Sequence, residues 1–423
     1  MIKRQDLINI YFLPLFFIPV AIILGPSVSL ILTILIGLIY LIKFFNLNDF
    51  NYFKSNKAFL LLLFLYSYLI FNTVISLEPT NSVFRNLGFL RFIFLFVAIN
   101  FFFYACKYDN LIFRFWSVIF LIFVTDVYIE RFTGSNLLGY GALDERHGPR
   151  VVSFFKDEPI AGAYINGFLF LITGYFFSIL ENKKKFTKIL IFFLFLVFVM
   201  SIILTGERSN TIKVIFGFIL FVFFLDYIKL KTKFLILSVL FFSFIIALAQ
   251  SDYLKKRYFG KVYDAVNDQI QLDVLRDETK EIVRNHRYFK LYKSGFSVFK
   301  RNPIFGVGNK NYRIETCDEN KHNKFDYYCL THPHQVYFEF LSEHGILGTL
   351  ICLSILFYLM FRNIGVILLS KNYIQIGAFI YLIMNFLPLI PSGSFFSDFN
   401  ITLFMVNFSL MYAVNNKTNI FEK

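Results

Sequence analysis

The chain alternates between long apolar runs and short polar breaks. Twelve runs approach or reach the length of about 20 helical residues that a hydrocarbon core of about 30 Å requires. Charged or turn-forming residues bound each run, and Gly25-Pro26 separates the first two. The approximate limits of the runs are 8–24, 27–45, 58–77, 87–105, 111–129, 160–180, 187–204, 210–228, 232–250, 345–369, 373–391 and 398–414. The pattern predicts an all-α polytopic membrane protein with about twelve transmembrane helices.

Two polar segments between these runs are too long to be simple turns. The first covers about residues 130–159 and the second about 250–344. In the second segment, the spacing of aromatic residues over Tyr288–Phe299 predicts an amphipathic helix, and Asn302-Pro303 marks its end. We therefore expect nine membrane helices in residues 1–250, a helical loop subdomain in 251–343 and three further membrane helices in 344–423.

Composition and charge support a membrane protein. The chain is 57% hydrophobic and only 17% charged, whereas about a quarter of a soluble domain is charged. The net charge of +14 would suggest nucleic acid in a soluble protein, but here Lys and Arg concentrate in alternate loops. Cytoplasmic loops of membrane proteins have this bias, so we expect both termini in the cytoplasm, both long segments in the periplasm and no nucleic-acid partner. The basic inner loops include Lys54, Lys107, Lys183-Lys184-Lys185 and Lys229.

Two cysteines provide a check on the compartment. Cys317 and Cys329 both lie in the second predicted periplasmic segment. An oxidising compartment favours a disulfide between them, which would stabilise the fold by about 3 kcal/mol for a loop of this size. Two unpaired thiols are the alternative.

Two arginines at the predicted periplasmic boundary are candidates for binding an anion. Arg208 follows the turn Thr205-Gly206-Glu207, where a guanidinium and free helix N–H groups suit a phosphate. The alternative is an arginine that reaches the interface beside Glu207. Arg91 lies about one turn inside the fourth run, where a cation costs about 2.5–3.5 kcal/mol, so it needs a bound anion or a structural salt bridge.

The two long segments hold further candidates. Arg146–Pro159, which includes Arg150 and Glu158, mixes cations, carboxylates and turn residues, as either a ligand-facing loop or a solvated loop would. Near the tenth run, His334 is expected in the first turn of an amphipathic helix, where its ordinary pKa near 6.5 suits a general base, or where it is only a structural cap. His332, His334 and His344 lack the spacing of a familiar metal site. The sequence therefore predicts no metal and no cofactor.

Motifs of soluble enzymes that use nucleotides or a serine nucleophile are absent: there is no Walker loop, G-x-S-x-G, HExxH or D-x-D pair. If the chain is an enzyme, a lipid-linked donor fits better than a cytoplasmic nucleotide. The lipid tail of such a donor would lie among the helices while its diphosphate accepts charge-assisted hydrogen bonds from arginines.

Seven stretches carry a family resemblance through their order and common predicted side of the membrane. They are Ser153–Tyr164, Thr205–Arg208, Phe299–Gly308, the Cys317…Cys329 pair, His332–Tyr337, Glu343–Gly348 and Pro388–Phe396. Together they resemble the bacterial O-antigen ligase and O-antigen polymerase superfamily, most strongly over residues 287–350.

The resemblance implies a metal-independent glycosyltransferase of the bacterial inner membrane. Its donor would be an undecaprenyl-diphosphate-linked glycan, used at the periplasmic face. By this resemblance, His334 acts on the acceptor hydroxyl and Arg208 holds the diphosphate, with Arg91 a weaker match. The family usually has Asn after this histidine, and Gln335 here could change how the imidazole is oriented. The substrate-binding residues expected around this pair are Arg91, Arg150, Glu158, Arg301, His332 and Tyr337.

Several functions fit these observations. A polymerase, which the motifs favour, would use a second lipid-linked glycan as acceptor, whereas a ligase would use lipid A-core or a protein. A lipid-glycan transporter would need ionisable groups through the middle of the membrane and often has internal repeats. Here these groups gather on one side with few in the centres of the runs, and no internal repeat is visible. A non-catalytic assembly subunit is the remaining alternative.

Overall fold

The computed structural model describes residues 10–105, 109–141, 150–156, 158–180, 185–226, 228–260, 287–322 and 325–422. Its α-helices, in chain order, are α1 (Ile18–Leu24), α2 (Pro26–Lys43), α3 (Leu47–Phe53), α4 (Lys57–Val74), α5 (Pro79–Gly88), α6 (Leu90–Ala105), α7 (Asp109–Thr133), α8 (Ala161–Leu180), α9 (Lys185–Thr205), α10 (Arg208–Phe223), α11 (Leu230–Gln250), α12 (Asp252–Lys255), α13 (Arg287–Arg301), α14 (Tyr312–Thr316), α15 (Glu319–His322), α16 (Val336–Phe361), α17 (Ile364–Leu369), α18 (Tyr373–Met384) and α19 (Asp398–Ala413). Short 3₁₀ turns at Leu13–Phe17 and Ser153–Phe155 and a π turn at Lys256–Gly260 complete the described residues, which contain no strand. The predicted all-α class is confirmed.

Some residues used in the predictions above lie outside the described part of the chain. They are Lys107, Arg146–Pro149 and Lys183-Lys184.

Seven helical stretches of the described chain are long and apolar enough to cross a membrane. They are Pro26–Lys43, Lys57–Val74, Pro79–Ala105, Asn110–Thr133, Ala161–Ile179, Leu230–Gln250 and Val336–Leu369. Three shorter apolar helices, Ile10–Leu24, Ile189–Thr205 and Tyr373–Met384, accompany them. Membrane-spanning helices are thus confirmed, while the count of twelve and the orientation stay predictions.

Several helix boundaries differ from the predicted limits, and two of these differences occur at prolines. The stretch predicted as 87–105 begins at Pro79, because proline suits the first turn of a helix, where its missing N–H is not needed. The run predicted to end near residue 391 ends as a helix at Met384. Residues 385–397 contain Pro388 and Pro391 and are not helical, so they form a connecting segment that reaches the candidate site.

Helix α8 lies at the centre of the molecule, and glycines allow α18 to pack against it. A Cβ atom on Gly174 would come within 2.2 Å of the Tyr373 carbonyl oxygen, and one on Gly377 within 2.2 Å of the Phe170 carbonyl oxygen. Small residues permit such close approach of membrane helices. Of the apolar stretch of α8, 78% is buried, against 17% in α11, so α8 forms the core and α11 the periphery.

Helix α16 is broken at Gly345, which has φ of 62° and ψ of −169°. The break leaves main-chain groups without helical partners, and residues 303–308 supply them. The N–H groups of Val307 and Gly308 donate to the carbonyl oxygens of Ser342 and Glu343, both at 2.9 Å. The N–H groups of Ile346 and Leu347 donate to Pro303 and Ile304, at 2.8 and 3.2 Å. Two of the stretches that carry the family resemblance thus form one main-chain junction.

A side chain at Gly345 should weaken this junction. In Gly345→Ala, the new Cβ would lie 2.4 Å from Ile304 main-chain atoms at a φ that disfavours alanine. We expect the free energy of unfolding to fall by about 2 kcal/mol or more, seen as a lower melting temperature in detergent. Gly365→Ala is the matched control, because nothing lies within 4 Å of its Cβ position. Equal melting temperatures for the two variants would contradict the role of the junction.

The segment that carries the histidines is fixed between α13 and α16. The Tyr292 ring of α13 stacks on Phe338 of α16, with ring centroids 5.2 Å apart. A disulfide joins Cys317 to Cys329, with their Cα atoms 4.6 Å apart. A small core of Val298, Val307, Tyr312 and Tyr327 lies beside it. The residues Thr331–Gln335 therefore leave the disulfide-linked loop and lead directly into α16.

Candidate functional site

One cavity of about 950 Å³ brings together residues from the loops and helix ends described above. It is strongly cationic. Three carboxylates, Glu158, Glu207 and Asp398, line it together with two histidines, His332 and His334. Its lysines and arginines among the described residues are Arg85, Arg150, Arg208, Lys213, Arg257, Lys310 and Arg313. The excess of positive charge suits an anionic ligand.

The turn before α10 presents Arg208 to the cavity. Gly206 has φ of 76°, and a Cβ there would lie 2.6 Å from the Tyr253 hydroxyl. Arg208 is the first residue of α10, and no side chain caps this helix end. Its guanidinium forms no ion pair with any described carboxylate. The turn therefore places this guanidinium beside free helix N–H groups, as anion binding requires.

The segment after α11 holds this turn in place and adds a cation. The Nε of Arg257 donates to the Gly206 carbonyl oxygen at 3.0 Å, and the Tyr258 hydroxyl donates to the Ile203 carbonyl oxygen at 3.0 Å. Arg257 also lines the cavity. Arg257 is not among the predicted site residues, because a basic residue just after a membrane helix is ordinary at an interface. Only its contact with the turn distinguishes it.

Arg150 reaches the cavity because two carboxylates of α7 anchor the segment that follows it. Glu130 accepts hydrogen bonds from the N–H groups of Val152 and Ser153, at 2.9 and 2.6 Å. Asp126 accepts from the Ser153 hydroxyl at 2.6 Å. Burial, and then the nearby Arg257, lowers the pKa of Arg150. A bound anion would stabilise this partly buried guanidinium, which lies near a second positive charge.

Glu207 caps the N-terminus of α8. Its carboxylate accepts from the Gly162 N–H at 2.6 Å and from the Asn210 amide at 2.7 Å. Burial raises the pKa of Glu207 to about 7, and the hydrogen bonds and Arg150 only partly oppose this. The carboxyl therefore gains or loses a proton near neutral pH.

Glu207 should make stability depend on pH. Its pKa is higher in the folded chain than the ordinary 4.5, so its contribution is full below about pH 4.5 and is lost as pH rises through about 7. The shift corresponds to about 3 kcal/mol at 1.36 kcal/mol per pH unit. We expect Glu207→Gln to flatten the fall in melting temperature over this window. Glu158→Gln, which changes an exposed carboxylate of the same cavity, is the control. If the melting temperature of Glu207→Gln depends on pH as that of wild type does, Glu207 is not the group responsible.

His332 and His334 form a second part of the cavity lining, the histidine wall. The prediction that the helix begins at His334 is wrong, because α16 begins at Val336. The Gln335 side chain caps this helix by accepting hydrogen bonds from the Tyr337 and Phe338 N–H groups, at 2.8 and 3.1 Å. His334 has φ of 55°, a conformation that few residues other than glycine adopt. Its carbonyl oxygen accepts from the Ser392 N–H at 2.8 Å.

His332 lies next to His334, with ring centroids 4.0 Å apart. Burial, and then the nearby Lys310, lowers the pKa of His332 to about 4, so this imidazole is neutral at physiological pH. Its Nε2 atom is buried without a hydrogen-bond partner among the described residues. Within the described chain, no three His, Cys, Asp or Glu side chains are grouped as a metal site requires.

A chain of hydrogen bonds connects Lys310, which lines the cavity, to α16. Lys310 donates to the Ser394 hydroxyl, which donates to the Glu339 carboxylate at 2.6 Å. The Phe395 N–H also donates to Glu339, at 3.0 and 3.1 Å to its two oxygens. Glu339 is fully buried, and these hydrogen bonds offset the free-energy cost of burying its carboxyl group. They fix the segment around Ser392–Phe395 against the cavity.

Residues 191–353 match the family model described as O-Antigen ligase. The predicted resemblance to the O-antigen ligase and O-antigen polymerase superfamily is confirmed by this match. The matched region contains Arg208, Arg257, Lys310, His332 and His334, so the Gly-Glu-Arg turn and the histidine wall both lie within it. No curated protein matches the chain.

The cavity includes five of the residues predicted for the site and leaves out three. Arg150, Glu158, Arg208, His332 and His334 line it. Arg91, Arg301 and Tyr337 do not, and each has another partner. Arg91 forms a salt bridge with Asp398 at 2.5 Å, the structural alternative considered for it, and Arg85 pairs with the same carboxylate.

Arg301 and Tyr337 contact groups away from the cavity. The Arg301 guanidinium stacks on Phe325 at 3.7 Å and lies 3.8 Å from Glu315. The Tyr337 hydroxyl donates to the Phe386 carbonyl oxygen at 2.7 Å. Neither side chain is among the residues that line the cavity.

Proposed function

We propose that this chain is a metal-independent glycosyltransferase of the bacterial inner membrane. In this proposal it takes a glycan from an undecaprenyl-diphosphate carrier and joins it to a hydroxyl of an acceptor glycan at the periplasmic face. Both termini then lie in the cytoplasm. The observation that carries the proposal is that guanidiniums and an imidazole from distant parts of the chain line one cavity.

The cationic wall, formed by Arg208, Arg150 and Arg257, would hold the diphosphate. These arginines come from three different segments and all line the cavity. Guanidiniums form charge-assisted, often bidentate hydrogen bonds with phosphoryl oxygens. As the bond between the anomeric carbon and the phosphate oxygen breaks, charge develops on the leaving diphosphate. These groups are already in place to stabilise it, and preorganised charges of this kind contribute strongly to catalysis.

His334 would act as the general base. It accepts the proton of the acceptor hydroxyl while the hydroxyl oxygen forms the new bond to the anomeric carbon. The lipid diphosphate leaves with the electrons of the broken bond. Direct displacement inverts the configuration at the anomeric carbon. The unusual backbone conformation of His334 supports this role, since strained residues cluster at functional sites.

The acceptor separates two candidate functions. By resemblance, the Gly-Glu-Arg and Cys…Cys-x-x-His-Pro-His arrangements favour polymerisation, with a second lipid-linked repeat unit as acceptor. The matched family model is described as O-Antigen ligase, which makes transfer to lipid A-core or a protein the second candidate.

Surface glycans of a deletion strain would separate these functions. A single repeat unit on the core indicates a lost polymerase, whereas bare core with long lipid-linked glycan indicates a lost ligase. Purified protein in vesicles tests the enzyme itself, with labelled lipid-linked glycan as substrate. Movement of the label across the bilayer without a new glycosidic bond would overturn the proposal and indicate a transporter.

A further inference from the structure

Two buried polar side chains in the cavity are not used by the mechanism above. Lys213 of α10 is 7% exposed and Asn166 of α8 is 3% exposed, and both line the cavity. The Asn166 Oδ1 atom has no hydrogen-bond partner among the described residues. Lys213 forms no ion pair with any described carboxylate. Glu207, a carboxylate of the same cavity, is engaged by Gly162 and Asn210 instead.

Lys213 lies deeper along α10 than Arg208. It follows Arg208 by five positions, which is about 7.5 Å along a helix at 1.5 Å per residue. The cavity lining also includes the apolar residues Ile212, Ala163 and Leu403, which neighbour Lys213 or Asn166 in the packed helices. A lipid tail suits such a lining, whereas a buried cation does not. An isolated buried charge is costly unless an opposite charge compensates it.

We propose that Lys213 and Asn166 form a second phosphoryl subsite, which takes the phosphoryl group next to the lipid tail. The arginines around Arg208 then hold the phosphoryl group next to the sugar. Lys213 donates to an anionic oxygen as a compact point charge, and the Nδ2 group of Asn166 donates a neutral hydrogen bond. The unpartnered Oδ1 atom of Asn166 is an acceptor and does not itself bind the anion. The subsite selects a lipid diphosphate over a lipid monophosphate. This inference rests on the proposed function and specifies how its donor is bound.

The subsite predicts opposite effects of one substitution on stability and on binding. Lys213→Met keeps the approximate shape of the side chain but removes a charge that no described carboxylate compensates. The ligand-free variant should melt at a higher temperature than wild type. Its binding of a lipid diphosphate should nevertheless weaken by at least about tenfold, which a lysine with only a structural role would not produce.

The test uses the full-length chain in lipid nanodiscs and three probes: polyprenyl diphosphate, polyprenyl monophosphate and inorganic pyrophosphate. Wild type should prefer the lipid diphosphate, and Lys213→Met should lose most of this preference while Lys213→Arg keeps it. Lys229→Met, which removes an exposed lysine at the start of α11, is the matched control and should bind as wild type. Lys213→Gln provides a second neutral variant if the methionine variant does not fold.

The outcomes separate this inference from the function on which it rests. If wild type binds none of the lipid probes, the proposed donor is wrong and the subsite falls with it. If wild type prefers the lipid diphosphate and both neutral variants at Lys213 keep that preference, the subsite alone is overturned. Equal binding of inorganic pyrophosphate and lipid diphosphate would show that the apolar part of the cavity does not recognise the tail, and would also overturn it.

Discussion

Replacing His334 by alanine is expected to lower the rate of glycan transfer by about 10²–10⁴-fold, the usual contribution of a general base. The donor should still bind, because the guanidiniums that face the diphosphate are unchanged. The pH–rate profile should also lose the limb that reports deprotonation of the imidazole. Initial rates with a lipid-linked donor and a purified acceptor, measured across pH, provide this test.

The neighbouring histidine is the matched comparison for this experiment. His332 lies in the same cavity, but burial lowers its pKa to about 4, so it offers a neutral hydrogen-bonding group at both pH 6 and pH 8. We expect His332→Gln to raise KM more than it lowers kcat and to leave the shape of the pH profile unchanged. Transfer by His334→Ala at the wild-type rate would refute the general-base role.

Loss of the guanidinium at Arg208 should have the second largest effect. We expect Arg208→Gln to reduce kcat/KM by about 10²–10³-fold, the range found when one preorganised donor to developing charge is removed. Weaker binding of lipid diphosphate should accompany the loss. Because Arg208 pairs with no described carboxylate, its removal leaves none of those acidic groups unpaired, and the melting temperature should change little.

Arg301 provides the control for Arg208. It lies in another of the stretches that carry the family resemblance, but its guanidinium stacks on Phe325 away from the cavity. Arg301→Gln should therefore keep wild-type transfer while losing some stability of the disulfide-linked loop. If Arg301→Gln abolishes transfer and Arg208→Gln does not, the assignment of the cationic wall is wrong.

The membrane fold was predictable because apolar runs of this length rarely occur outside membrane-spanning helices. The predicted runs correspond well to helices such as α4 and α11. The helix ends were less predictable where proline acts. Pro79 extends one helix at its start, and the prolines after Met384 end another early. Hydropathy alone does not distinguish a continuing helix from an apolar connecting segment.

The site was predictable where a turn carried its own chemistry. Arg208 follows the Thr205-Gly206-Glu207 turn and His334 lies in the His-Pro-His segment just before α16. Both residues line the cavity. For Arg91 and Tyr337, the sequence did not reveal which partner each side chain contacts. Each lies on a helix, and the direction of its side chain depends on a partner far away in the chain, Asp398 for one and Phe386 for the other.

Lys213 and Arg257 were missed for the opposite reason. A lone cation within or just after an apolar helix is common in membrane proteins, so its type and position carry little information about a site. Their placement in the cavity depends on how α8, α10 and the segment after α11 pack together. Such information is absent from the spacing of residues in one chain.

The main-chain junction at Gly345 has a consequence for how relatives of this protein diverge. Its hydrogen bonds join backbone atoms, so they place no demand on the side chains between them. Ile304 and Phe305 are 53% and 40% exposed, and substitutions there should be tolerated. Gly306 and Gly345 each lie against the opposite segment of the junction, within 2.6 Å of its main chain as measured from a Cβ position. Distant homologues should therefore keep this glycine pair or replace the whole junction, while the exposed positions Ile304 and Phe305 vary.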